Sequence, residues 1–304
     1  MLKYIFFIFC FIQSEYIFSQ EITIEGIVLS TDSMPLQYAV VFNAASKRGT
    51  YTDSLGHFQL TLPKTAKKLR LSRLGYVDKT ILLDPEGVDS YNIFLQRERL
   101  ELSEAVVKIK HFRRKKIKLG PAKKHKFFFG SCGDLSYESG IYIPNKAKKK
   151  GELLGATVYL KNKKGPAEWL RLRVYEPDDN LEPDEDLLVE NVLIKVEPGD
   201  KTKRYIDLSG YGISLPSNGI IVSLEWLSSF SIKMDESNAR NCSSVKVMHV
   251  ENRNRKYIWW SRLNQGNWQN TTELIRAHYA DRKSIEVFHQ VPYVKLKIRE
   301  YDRD

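Results

Sequence analysis

Gly49, Thr50, Tyr51, Thr52, Asp53, Ser54, Leu55, Gly56, His57, Phe58, Gln59 and Leu60 read as one strand, a tight turn and a second strand. The Asp53 carboxylate is placed to accept hydrogen bonds from backbone N–H groups just ahead of it, and Gly56 supplies the positive φ that closes such a turn. From there the period is two: Phe58, Leu60 and Leu62 face one way, and His57, Gln59 and Thr61 the other. Pro63, which has no N–H to give a ladder, ends the run. The pattern predicts half of a β-sandwich.

Neighbouring pieces extend the same plan. Gly26, Ile27 and Val28 lead through a polar turn to Met34, Pro35 and Leu36, then to Ala39, Val40 and Val41. Leu69 and Leu71 alternate with Arg70 and Ser72 before Leu74, Gly75 and Tyr76, and the segment closes with Ile93, Phe94, Leu95 and Leu102 to Val107. Together the Pro-Leu turn, the Gly-Thr-x-Thr-Asp-x-x-Gly-x-Phe turn and the Ser-x-x-Gly-Tyr strand resemble the carboxypeptidase regulatory-like domain of exported bacterial proteins. The resemblance covers residues 21–107 and implies a seven-stranded transthyretin-like β-sandwich. It also implies an accessory role, beside metallopeptidase domains or at the N-termini of TonB-dependent receptors, with no catalytic residues to carry over.

At the start, Lys3 precedes an apolar run from Tyr4 to Ile12, followed by Ser14, Ser19 and Gln20. This is the layout of a secretory signal peptide over residues 1–19, and the run is shorter than the roughly 20 apolar residues that span a bilayer. Cys10 falls in the apolar run, as a signal peptide explains without lipidation. Export places the mature chain in the periplasm, at the outer membrane or on the cell surface, where Cys132 and Cys242 either pair as a disulfide or stay as two buried thiols.

The net charge of +11 is not spread evenly. Residues 108–126 hold ten Lys and Arg and no acidic residue, whereas the flanking regions are close to balanced. With Gly120 and Pro121 inside it, this segment reads as a solvated basic linker, its alternative being contact with an anionic surface through Arg113, Arg114, Lys115 and Lys116. For an exported protein that surface is phospholipid headgroups, lipopolysaccharide phosphates or acidic polysaccharide. Nucleic acid is not expected, because the run has few aromatics to stack on bases.

Residues 127–304 again read as strands. Alternation appears at Ala156, Val158, Leu160; at Leu170, Leu172, Val174; at Val192, Ile194, Val196; and at Ile220, Val222, Leu224, Trp226, with Gly and Pro turns between. Even spacing without a helical period predicts a second all-β sandwich of jelly-roll-like type. A short helix is expected over Thr271 to Tyr279, capped by Thr271 or Thr272 and carrying Leu274, Ile275 and His278 on one face. Val294, Leu296 and Ile298, alternating with Lys295, Lys297 and Arg299, suggest an edge strand guarded by charge. Fewer than 200 residues follow the linker, too few for a large transporter barrel.

Three constellations in this half have chemical potential. The acidic loop with Asp178, Asp179, Asp184 and Asp186 offers hard oxygen ligands for calcium, or is a solvated turn, since its spacing is not that of an EF-hand. Tyr257, Trp259, Trp260 and Trp268, among Asn and Gln side chains, offer flat faces for sugar rings, although alternation sends Trp259 and Trp260 to opposite faces. Glu225, with Asp207 or Glu251, is a candidate glycosidase pair, and Cys132 a candidate nucleophile without a marked base. No HExxH, Gly-x-Ser-x-Gly or phosphate-cradling loop is present. The expectation is a non-catalytic envelope protein that binds or assembles with an envelope protein or glycan; the alternative is a carbohydrate-active enzyme or glycan-binding protein with the first sandwich as accessory.

Overall fold

The computed structural model describes residues 21–46, 48–84, 90–98, 115–122, 126–131, 137–188, 190–227, 243–252, 255–263, 266–278 and 290–301. The signal segment, Arg113, Arg114, Cys132 and Cys242 lie outside them. The fold is all β, in two sandwiches. The first has β1 (Glu21–Ser30), β2 (Val40–Asn43), β3 (Arg48–Tyr51), β4 (His57–Pro63), β5 (Lys68–Ser72), β6 (Lys79–Leu82) and β7 (Ser90–Leu95). One sheet runs β4-β1-β7, with β7 parallel to β1, and the other β3-β2-β5-β6. Between them pack Ile24, Val28, Val41, Phe58, Leu60, Leu62, Leu69, Leu71, Ile93 and Leu95.

The organising turn forms as its residues require. Asp53 Oδ1 accepts from the N–H groups of Leu55 and His57, both at 2.9 Å, and Gly56 sits at φ 79°. Across the turn the Gly56 carbonyl accepts from Val28 N at 2.8 Å, which ties the hairpin to β1. In β4, buried Phe58, Leu60 and Leu62 alternate with exposed His57, Gln59 and Thr61.

The second sandwich opens with β8 (Lys115–Leu119), β9 (Phe127–Phe129), β10 (Tyr137–Ile143), β11 (Gly151–Asn162), β12 (Glu168–Pro177), β13 (Pro183–Asp186) and β14 (Val192–Val196). It continues with β15 (Lys201–Asp207), β16 (Ile220–Trp226), β17 (Val245–Glu251), β18 (Ile258–Leu263), β19 (Gln269–Asn270), helix α1 (Thr271–His278), β20 (Gln290–Pro292) and β21 (Lys295–Glu300). One sheet runs β13-β12-β16-β10-β18-β19, with β14 also on β12; the other runs β20-β17-β11-β21-β8, with β15 on β11 and β9 on β17. Leu170, Leu172, Val174, Val222, Leu224 and Trp226 from the first sheet meet Val158, Leu160, Leu296 and Ile298 from the second. The indole N–H of fully buried Trp226 donates to the Val245 carbonyl at 3.1 Å. No helix among the described residues is long and apolar enough to cross a membrane.

Three expectations change. The basic segment is not a free connector throughout, because Lys115–Leu119 pair antiparallel with Glu300–Leu296 and so join the second sandwich. Ile117 and Leu119 supply the reason: their apolar side chains pack on the core while Lys116 and Lys118 point away. As a result β21 lies between β11 and β8 and is not an edge. Helix α1 is capped by Asn270, whose Oδ1 accepts from Glu273 N at 3.2 Å. The Thr272 hydroxyl instead accepts from Trp259 N at 2.9 Å, Thr271 bonds Ser261, and Leu274 is exposed.

Replacing Gly56 by Ala tests the turn. A Cβ there would lie 2.5 Å from the Val28 carbonyl oxygen, on top of the cost of roughly 1–2 kcal/mol for a left-handed non-glycine residue. Gly56→Ala is expected to lower the urea midpoint by more than that cost alone implies, and an unchanged midpoint would refute the clamp.

Candidate functional site

In strand β12 the odd positions face away from the core, and so do Ser223 and Glu225 of β16, Glu138 of β10 and Arg262 of β18. Register sets four of these side by side: Arg171 opposite Glu225, Glu225 opposite Glu138, Glu138 opposite Arg262. Directly opposed residues on neighbouring strands stand about 5 Å apart, so this is a continuous row of cation, anion, anion and cation. Arg171 Nη2 lies 2.7 Å from Glu225 Oε2, and Arg262 Nη2 lies 2.7 Å from Glu138 Oε2. Glu138 Oε1 also accepts from the hydroxyls of Tyr175, at 2.8 Å, and Ser223. Arg173 joins the next row and donates to Asp186 at 2.6 Å.

An outward sheet face normally meets water, yet Glu225 is 0% and Arg171 2% exposed on their side chains. The first sandwich covers them. Tyr51, from the end of β3, donates its hydroxyl to Glu225 Oε1 at 2.6 Å, and Leu74 packs against the second core. Beside this contact lies an inter-sandwich cleft of about 440 Å³ lined by Arg73, Tyr76, Arg171, Arg173, Tyr175 and Asp186 among others. Burial by itself raises the Glu225 pKa, but the guanidiniums of Arg171 and Arg173, the Tyr51 hydrogen bond and Arg262 outweigh it and hold the group at about 2. For Arg73, burial and the neighbouring charges of Arg171 and Arg97 lower the pKa, whereas the Tyr76 ring opposes them.

The residues singled out from the sequence meet different fates. Trp259 and Trp260 do lie on opposite faces, and both are buried, so neither offers an open stacking surface. Trp259 donates to Ser139 inside the core, whereas Trp260 lies with Tyr142, Tyr175 and Ile221 beneath the outer face. Trp268 is half-buried, with the Arg262 guanidinium 4.4 Å from its ring centre, and Tyr257 packs on the main core. The four rings therefore do not form a sugar platform. In the acidic loop Asp178 caps its own turn by accepting from Asn180 and Glu182, and Asp186 is committed to Arg173. Asp179 and Asp184 do not join them, and no group of three carboxylates, His or Cys among the described residues is arranged to hold a metal ion. Asp207 and Glu251 belong to the other sheet, so neither converges on Glu225. Glu138, the partner that does face Glu225, was not singled out: the two are 87 positions apart, and the signal was only that both occupy polar positions on apolar strands.

A model of the CarboxypepD_reg-like domain matches residues 24–107. The first sandwich is a carboxypeptidase regulatory-like domain. No curated protein matches the chain. Among solved structures, a Streptococcal ancillary pilin is 11% identical with a TM-score of 0.21, covering 74% of this chain and 59% of its own. A structure of infectious bursal disease virus, Gt strain, is 12% identical with a TM-score of 0.25, covering 92% of this chain and 59% of its own. The chain thus spans about three fifths of either one.

Two measurements test the electrostatics of the second sandwich. Glu225→Gln leaves Arg171 buried without a counter-charge and is expected to cost about 3–5 kcal/mol, while the paired change Arg171→Met with Glu225→Leu recovers most of it. Equal losses in the single and the paired variant would show that the row is not an ion pair in energetic terms. The second concerns His249, whose Nδ1 lies 3.2 Å from the Val247 carbonyl and whose Nε2 has no partner among the described residues. Burial, against the opposing backbone bond, lowers its pKa to about 4. The unfolded chain therefore takes up the proton first. Stability is full above about pH 6.5 and declines by roughly 3 kcal/mol as pH falls through 4, a loss that His249→Phe should flatten in denaturation curves.

Proposed function

We propose that this is an exported, non-catalytic binding or assembly protein of the bacterial cell envelope, built on a carboxypeptidase regulatory-like domain and a second sandwich docked against it. The observation that carries the reading is the state of Glu225. Its carboxylate is held ionised, buried and bonded to Arg171 and Tyr51, so it has no proton to donate and no room for substrate. A glycosidase needs one carboxylic acid to protonate the leaving oxygen and a second carboxylate across an open cleft. Here the two facing carboxylates spend their bonding capacity on holding the strands and the two sandwiches together. Export rests on Lys3 and the apolar run to Ile12.

Fractionation checks the reading. The full chain carrying a C-terminal tag, expressed in a Gram-negative host, is expected in the envelope with a mature N-terminus near Gln20, and Phe6→Asp should leave an unprocessed cytoplasmic form. Recovery of the unaltered chain as an unprocessed cytoplasmic protein would overturn the assignment.

A further inference from the structure

The sheet β15-β11-β21-β8 turns its second face outward, away from the core. Register places Tyr205, Thr157 and Lys295 in one row across it, and Gly155, Lys297 and Lys118 in the next. Lys203 stands two positions from Tyr205 on β15, and beyond Lys297 the face continues with Lys116 and with Arg299, whose guanidinium pairs with Glu152 at 2.9 Å. Within this face a groove of about 460 Å³ is lined by Lys118, Thr157, Lys203, Tyr205, Tyr293, Lys295, Leu296 and Lys297. Four of the eight are lysines and none is acidic. None of the four lysines forms an ion pair among the described residues. Asp207 ends the second row, opposite Gly155; its carboxylate accepts from Ser209, and its charge is felt by Lys297 and Tyr205.

The aromatic part is held in place. Tyr205 is 47% exposed, and its hydroxyl donates to the Leu154 carbonyl at 2.9 Å, which lays the ring across β11. Gly155 makes that possible, because a Cβ there would come within 2.5 Å of the Tyr205 hydroxyl. The Lys297 ammonium sits 5.3 Å from the ring centre. Burial first, then the nearby charges of Lys256 and Lys118, lower the Lys295 pKa, and its ammonium donates to the Gly120 carbonyl at 2.7 Å.

We infer that this groove is a binding site for an acidic polysaccharide. Lysines two apart on a strand repeat at about 7 Å and neighbouring strands at about 4.8 Å, so the face presents a lattice of point charges to a ligand whose own charges repeat along a chain. A fixed, exposed tyrosine ring between them suits the apolar face of a sugar. A flat lipid surface fits less well: the site is concave, and its exposed ring lies along the sheet instead of projecting. The inference rests on the reading of the protein as an exported binding protein and names its ligand class.

The mature full chain is titrated with polygalacturonate, dextran sulfate and uncharged dextran at low and moderate salt, and with phosphatidylglycerol vesicles. Both acidic polymers are expected to bind, dextran not to bind, and affinity to fall as salt screens the lysines. The paired change K203Q with K297Q should weaken binding at least tenfold, while K64Q with K67Q, the same charge loss on the first sandwich, should leave it within twofold. With inorganic polyphosphate titrated as an acidic polymer that has no sugar ring, Tyr205→Leu should weaken polygalacturonate more than polyphosphate. Equal loss in the two lysine pairs, equal binding of dextran, or binding of vesicles without polysaccharide would overturn the site. Reducing ends released from a bound polymer would overturn the non-catalytic reading and leave the site standing, whereas absence of binding would overturn the site and leave that reading intact.

Discussion

The second sandwich depends on an ion pair that it cannot leave half-made. Moving a carboxylate and a guanidinium out of water costs several kcal/mol each, and their attraction offsets this only where the remaining lone pairs and N–H groups are also used. Arg171 and Glu225 meet that condition, with Asn191 taking a further Arg171 N–H at 3.1 Å and Tyr51 donating to Glu225. The last of these donors comes from the other sandwich. Without it one carboxylate oxygen would face a partly dried surface, so the pair links the stability of the second sandwich to the docking of the first. This is why a polar row on an outward strand face marks an interface here and not a solvated surface.

The row also explains why two opposed glutamates are tolerated. Like charges across neighbouring strands repel, and Glu138 and Glu225 face each other directly. Each has an arginine on its far side, so the charges alternate in pairs across β12, β16, β10 and β18 and the row as a whole is neutral. Ser223 and Tyr175 add hydroxyl donors to Glu138. The arrangement relies on strand register: a one-residue slip of β16 would turn Glu225 toward Leu172 and Val158 and bring Trp226 to the interface.

Much of the fold was legible in the sequence because it rests on local rules. The Asp53 and Gly56 turn, the alternation in β4, β11, β12 and β16, and the glycines with positive φ at Gly199 and Gly219 all follow from neighbours in the chain. What was not legible is what lies against what. Arg171 and Arg173 have the same alternation pattern whether their face meets water or another sandwich. Trp259 and Trp260 were correctly sent to opposite faces, but the second face is covered as well, and so both became core. Charge density misled in a similar way. Ten basic residues among the 19 of residues 108–126 suggest a solvated connector, and the apolar pair Ile117 and Leu119, two positions apart, is the quieter signal that Lys115–Leu119 is a strand.

That strand changes the meaning of the chain's positive charge. By adding to β21 it covers an edge that would otherwise expose unpaired backbone groups, and its own edge then carries Lys116 and Lys118, side chains that discourage further strand addition. The same two lysines extend a basic face already begun by Lys295, Lys297 and Lys203. Protection of an edge requires charge but not an ordered ring, a glycine under that ring, or a groove. The Tyr205, Gly155 and Leu154 arrangement therefore goes beyond what edge protection explains, and it lies where the unpaired lysines are densest. One sheet face holds the two units together through paired charges, Arg171 with Glu225, Arg262 with Glu138 and Arg173 with Asp186, whereas the opposite sheet pairs Arg299 with Glu152 and leaves Lys118, Lys203, Lys295 and Lys297 without an ion pair among the described residues.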